Sequence, residues 1–142
     1  MTMPARHSVS VAGVLVDDQR RALLVRRRDN QHWEPPGGVL ELDESITAGL
    51  CREVKEETGL DVAPDVLTGV YKNMNRGIIA LVFRCKILGG HLTANSEVSE
   101  FYWATVAEVP AMTSEAYAIR VLDALNEAAP AVRQHDGTHL LT

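Results

Sequence analysis

Two cysteines, Cys51 and Cys85, are all that the 142 residues contain. They match no metal-ligand spacing and build no disulfide framework, so they read as two reduced cytosolic thiols. Long apolar runs are missing too. The longest, "IIALVF" (Ile78 to Phe83), is far too short to cross a bilayer, and no membrane partner is expected. The stretch "MTMPARHSVSVAGVLVDD" has one Arg, an alternating apolar segment and then two Asp, which suits a first strand better than a signal peptide. Basic charge is also short. With 14 Lys and Arg against 19 Asp and Glu, the net charge of −5 argues against general nucleic-acid binding, which needs clustered cations. An anionic substrate would then need a metal ion to supply much of the positive charge. His7, His32, His91, His135 and His139 are scattered and make no ligand set, and no repeat or low-complexity segment is present.

What remains is ordinary globular material, 46% apolar and 23% charged, of a length that fits one domain with a proper core. Ser8 to Val16 alternates around Val9, Val11 and Leu15 as a half-buried strand would. "RALLVR" (Arg21 to Arg26) reads as a second strand, paired with the first through the "DDQR" turn. "RRDNQHWEPPGG" is a loop. A helix is expected from an N-cap at Asp43, with Glu44 in its first turn, to Thr58, where Gly59 can adopt the left-handed conformation that ends helices. Extended segments follow at Val66 to Lys72, Ile78 to Leu88 and Glu100 to Val106; the middle one is apolar at consecutive positions and needs cover on both faces. Ala118, Val121, Leu122 and Leu125 mark a second amphipathic helix over Ser114 to Ala128, and the tail from Pro130 has no period and reads as mobile. These elements predict an α/β fold with a mixed sheet between helices.

The chemistry is concentrated in "GGVLELDESITAGLCREVKEETGL", residues 37–60. At about 100° per residue, Glu53, Glu56 and Glu57 share an arc beside the apolar stripe of Ile46, Leu50 and Val54. Like charges at this spacing repel. On the helix alone, a solvated charged face is the simpler reading. Gly49, inside the acidic arc, leaves room either for a ligand or for close packing. The loop shifts the balance: "PPGG" (Pro35 to Gly38) stiffens the backbone and then frees it of Cβ atoms, so that a carbonyl can approach an ion held by the helix. Hard divalent ions take carboxylate and carbonyl oxygens and bridge to phosphate, while a nearby carboxylate can accept a proton from attacking water.

This stretch resembles the Nudix box, G-x5-E-x7-R-E-U-x-E-E-x-G-U, with U a bulky aliphatic residue. Gly38, Glu44, Arg52, Glu53, Val54, Glu56, Glu57, Gly59 and Leu60 match every specified position. The resemblance extends over roughly residues 8 to 128. It implies an α/β/α sandwich and hydrolysis of a nucleoside diphosphate linked to another moiety, with Mg²⁺ or Mn²⁺. By the same resemblance, Glu53, Glu56 and Glu57 would bind metal together with the Gly38 carbonyl. Glu53 is also a candidate base, and Arg52 would orient it. Glu44 would support the junction of loop and helix; local pairing is the alternative for Glu44 and Arg52. Glu97, in "SEVSEFYW", is a second candidate base or a solvated loop acid, and Glu100 reads as solvated. The run Arg26, Arg27 and Arg28 holds candidate phosphate contacts, Arg26 and Arg28 first because alternate residues of a strand share a face, and at least one of the three reads as solvent-facing charge. Trp33 and Trp103 read as packing residues or as stacking platforms for a base. Pro35 stands where the family commonly has a bulky apolar residue, which stiffens the loop.

The expected partner is a small-molecule nucleotide in the cytoplasm; a homodimer stays open. A regulatory module that senses a nucleotide without cleaving it is the rival, but such modules commonly lose a box acid and this chain keeps all of them. Relatives specific for ADP-ribose often carry a Pro some sixteen residues beyond the box, where this chain has Asn75 and Arg76. Tyr71 lies too early for the tyrosine of diadenosine-polyphosphate hydrolases, and the coenzyme A signature is absent. Elimination favours a nucleoside triphosphate, oxidised or ordinary, followed by a nucleotide sugar or ADP-ribose.

Overall fold

A computed structural model describes residues 2–141 of the chain. β1 (Ser8–Leu15) buries Val11 and Leu15 on one side and Ala12 and Val14 on the other, so it is covered on both faces and not on one. A two-stranded hairpin cannot provide that cover. Accordingly β1 does not form the expected hairpin with β2 (Ala22–Arg27): the two share only the bridge between Val16 and Ala22, and then part into different sheets.

The larger sheet also contains β4 (Gly37–Val39), β5 (Leu60–Asn73), β6 (Ile78–Gly90) and β8 (Ala131–His135), in the order β4-β1-β6-β5-β8. β1 runs parallel to β6 and β5 parallel to β8, while the β1–β4 and β5–β6 pairs are antiparallel; the sheet is mixed, as expected. Helix α1 (Ile46–Thr58) packs Leu50 and Val54 on one face, against Val11, Leu15, Leu60 and Val62. Helix α3 (Glu115–Leu125) packs Ala118, Val121 and Ala124 on the other, against Ala12, Val14, Tyr71 and Val82. The result is the α/β/α arrangement. A smaller sheet of β3 (Trp33–Glu34), β2 and β7 (Val98–Ala104) adds Leu23 to the first cluster and Ala22, Leu24 and Ala104 to the second. Trp103 packs against the first of these clusters and Trp33 against the second.

Local signals decide the ends of the helices. The α1 N-cap is Ser45, whose Oγ accepts from Ala48 N at 3.2 Å; Asp43 and Glu44 lie before the helix. Its C-cap is Gly59 at φ +82°, as the sequence predicts. α3 ends at Leu125, short of Ala128: Asn126 is extended, and Arg84 and Arg20 donate to the carbonyls of Ala124 and Leu125. A short helix, α2 (Glu108–Met112), was not expected from periodicity; it buries Val109. The tail is not mobile over its whole length, because β8 pairs along the edge of β5. It shows no apolar period because what anchors it is polar: Arg133 grips Asp123 through Nε and Nη2, at 2.7 and 2.8 Å. No helix among the described residues is long and apolar enough to cross a membrane.

Candidate active site

The three acids of α1 start from one helical arc and end in unequal surroundings. Glu57 is only 5% exposed and the Glu53 side chain 12%, whereas that of Glu56 is 58% exposed. The difference comes from β4, which crosses the helix at Gly37 and Gly38. Gly37 N donates to Glu57 Oε1 at 3.0 Å, and a Cβ on Gly38 would collide with the Glu53 carboxylate. These glycines are thus where a backbone must lie against carboxylates. Burial pushes the Glu57 carboxyl up to about 7, helped by the charges of Glu34, Glu53 and Glu97 and opposed by the Gly37 N–H. Burial also raises Glu53, against the pull of Arg52. Gly49 serves close packing: a side chain there would strike Leu40 and, at 2.7 Å, Glu44 Oε1.

Arg52 organises the outer side of the arc. Its Nε and Nη2 hold Glu44 in a fork at 2.8 and 2.6 Å, and its Nη1 reaches Glu53 at 2.9 Å and Glu56 at 3.3 Å. Glu44 also accepts from Glu41 N at 2.9 Å, and the Arg52 hydrogen bond with this backbone contact holds its carboxyl down at about 2. Glu44 therefore links the β4–α1 loop to the helix, and Arg52 sets the direction of Glu53.

Opposite α1, Glu97 is presented by a loop tied to the same helix. Asn95 Oδ1 accepts from the amides of Glu97 and Val98 at 2.9 and 3.0 Å, an Asx turn, while its Nδ2 donates to Glu57 O at 2.9 Å. Arg28 Nε closes the loop on Asn95 O at 2.7 Å. Between helix and loop lies a cleft of about 680 Å³, walled by Gly37 to Val39 and lined by Glu53, Glu57, Glu97, Arg27 and Arg28.

Arg52, Glu44, Glu56 and Arg26, all candidates from the sequence, fall outside this lining; Arg52 and Glu44 bear on it through Glu53. Glu56 stays on Arg52. Arg26 faces away, 3.5 Å from Glu100 and 6.0 Å from the Trp33 ring centre, and Arg27 takes the place assigned to it. Alternation along β2 holds as far as Arg27, so Arg26 turns to the Trp33 face while Arg27 shares the face of Val25 and Glu34. The strand then ends, and Arg28 is free of the alternation and lines the cleft. Asn95 and the buried Glu34 were missed. The "NSE" turn ahead of a strand was a usable signal for Asn95, whereas nothing local marks Glu34, whose burial follows from pairing opposite Val25.

Among the described residues, no three His, Cys, Asp or Glu side chains are grouped tightly enough to hold an ion as they stand. The donor chemistry nevertheless fits a hard cation. Two mostly buried carboxylates, Glu53 and Glu57, and a third across the cleft, Glu97, are all oxygen donors that repel one another. Among the described residues only Arg52 is paired with any of them, on Glu53, while Arg27 is paired with Asp29 and Glu34.

A family model described as the NUDIX domain matches residues 6–125. Over 140 residues the chain is 58% identical to a MutT-like protein of Streptomyces ambofaciens, covering 99% of this chain and 91% of that one. It is 32% identical over 110 residues to an ADP-ribose pyrophosphatase of Methanocaldococcus jannaschii, covering 72% of this chain and 64% of that protein. The crystal structure of an ADP-ribose pyrophosphatase from Streptococcus suis shares the fold, with a TM-score of 0.77 at 22% identity over 92% of this chain and 100% of that one. With a family match over most of its length and a glycine strand laid across the acidic helix, the chain belongs to the Nudix hydrolase family.

Proposed function

We propose that the cleft hydrolyses a diphosphate linkage in a nucleoside triphosphate, with Mg²⁺ or Mn²⁺ held by Glu53, Glu56, Glu57 and the Gly38 carbonyl. The observation that carries this reading is the convergence of Glu53, Glu57 and Glu97 with Arg27 and Arg28 on one cleft. Acids alone would repel a polyphosphate; a bound ion would neutralise them and draw charge from the phosphate oxygens. Arg27 and Arg28 would meet those oxygens from the opposite wall. Glu53, aimed by Arg52, would take the proton of the attacking water, and Glu97 is the alternative base. Glu56 would reach the ion by leaving Arg52, which its exposure allows. The free thiols of Cys51 and Cys85 support a reducing, cytoplasmic setting.

The test is product analysis on a panel of nucleotides in ¹⁸O-labelled water, with either ion. The expected products from a triphosphate are a monophosphate and pyrophosphate. Release of terminal orthophosphate alone, or turnover that survives exhaustive chelation, would overturn the reading. Hydrolysis of ADP-ribose or a nucleotide sugar is the second reading; its ADP-ribose form is supported by the likeness to the ADP-ribose pyrophosphatase of M. jannaschii.

A further inference from the structure

Behind β4, on the α3 side of the sheet, lies a second and smaller cavity of about 200 Å³ that the acidic helix does not reach. It shares Arg27 and Gly37 to Val39 with the acidic cleft, so the two spaces meet across one strand. Its volume falls below the roughly 300–1,000 Å³ of pockets that enclose whole drug-sized ligands, but it suits a single ring system. Its deep wall carries Arg120 and His135, only 9% and 3% exposed.

These two side chains are poorly satisfied by each other. Gly137 N donates to His135 Nδ1 at 3.0 Å, so that nitrogen presents its lone pair and a neutral ring carries its proton on Nε2. Nε2 in turn faces Arg120 Nη2 at 3.3 Å, and a guanidinium has only donors. Two buried donors therefore point at each other. Arg120 Nε has no hydrogen-bond partner among the described residues. The guanidinium is instead packed over the Tyr117 and Tyr71 rings, at 4.7 and 5.3 Å from their centres. Buried donors left facing one another call for an acceptor between them. A phosphate there would meet the Glu34 carboxylate in the same wall, whereas a neutral carbonyl would not be repelled.

Resting on the reading of the acidic cleft as a nucleotide site, we infer that this cavity takes the substrate's nucleobase and selects a base with a carbonyl beside a ring N–H. The carbonyl oxygen bridges Arg120 and His135, and the adjacent N–H faces the acceptor oxygens of Glu34. Guanine, hypoxanthine and uracil present that edge. Adenine and cytosine present an amino donor beside a bare ring nitrogen, which would leave both buried donors unpaired. Substrates built on adenosine, ADP-ribose among them, are disfavoured.

Inosine and adenosine monophosphates isolate the difference, since hypoxanthine and adenine differ only at this edge. Calorimetric titration of the protein with each, without metal, is expected to show the inosine nucleotide bound about 10- to 100-fold more tightly, the range for a well-placed two-point base contact. Arg120→Met, which keeps bulk and removes a buried charge, and His135→Gln should each erase most of that preference; a melting curve checks folding of both. Equal affinities, no binding of either nucleotide at millimolar concentration, or a preference unchanged in both folded variants would overturn the inference. Neither monophosphate has a diphosphate to cleave. A protein that prefers inosine yet hydrolyses nothing would therefore sustain this inference and remove the proposed hydrolysis, and the reverse result would do the opposite.

Discussion

Glu57→Gln should stabilise the metal-free protein while disabling the proposed ion site, and the structure gives the sign and the size of the first effect. Glu57 is 5% exposed, and burial moves its carboxyl from 4.5 to about 7. A raised carboxyl pKa means that the folded state holds its proton more tightly than the unfolded state. The associated stability is complete below pH 4.5 and is lost as pH rises through 7. At roughly 1.4 kcal/mol per unit, full ionisation would cost the folded state about 3 kcal/mol at pH 8. That figure is an upper bound, because part of it is repulsion shared with Glu53 and Glu34, whose carboxyls burial also raises. Gln keeps an oxygen for the Gly37 N–H and carries no charge to bury. In chelated buffer the variant should therefore match the wild type near pH 5 and exceed it by up to about 3 kcal/mol at pH 8, on the order of 10 °C in Tm. Urea melts across pH 5 to 8 measure it. Millimolar Mg²⁺ should reverse the order, because an ion that binds only the folded wild type raises its stability by linkage. A difference that does not change with pH, or a variant less stable at pH 8, would refute the reasoning.

Glu53→Gln should lower kcat by roughly 10²–10⁴-fold, the scale of a lost acid–base group, with folding intact by circular dichroism; near-normal turnover would move the base to Glu97. Gly38→Ala places a methyl against the Glu53 carboxylate, and should lower kcat on the order of 10²-fold while leaving the far-ultraviolet spectrum unchanged. Arg133→Ala should cost about 1–2 kcal/mol in urea denaturation, since Asp123 then keeps only the Tyr71 hydroxyl at 2.8 Å. Amide exchange over residues 131–135 should speed up in the same variant, and unchanged protection there would argue against this anchor for β8.

How far the chain was legible depended on how local each signal was. Helix α1 ends at Thr58 because Gly59 alone can take φ +82° there without strain. Its start was misplaced by two residues because Asp43 and Ser45 are both good caps, and only Ser45 meets the amide of Ala48. The β1–β2 hairpin failed because strand pairing is chosen by the cover each strand needs, and β1 needed helices on both faces. β8 was invisible because its hold on the sheet is backbone pairing and one ion pair, neither of which leaves an apolar period. Arg27 and not Arg26 lies at the cleft because β2 ends at Arg27, which releases Arg28 from the alternation expected to pair it with Arg26, and no sequence period marks that end.

The sequence by itself determined that Glu53, Glu56 and Glu57 share one helical arc, since 3.6 residues per turn require it, and that two glycines stand ready beside them. It also determined the family, because the spacing of nine box residues is written entirely within residues 38–60. Only the tertiary structure decided that these acids differ: Glu57 lies under β4, Glu53 against Gly38, and Glu56 on Arg52 in solvent. Only the tertiary structure brought Glu97 across the cleft and set His135 of β8 against Arg120 of α3. Burial and charge environment depend on which distant segments cover a side chain, and no periodicity along the chain records that.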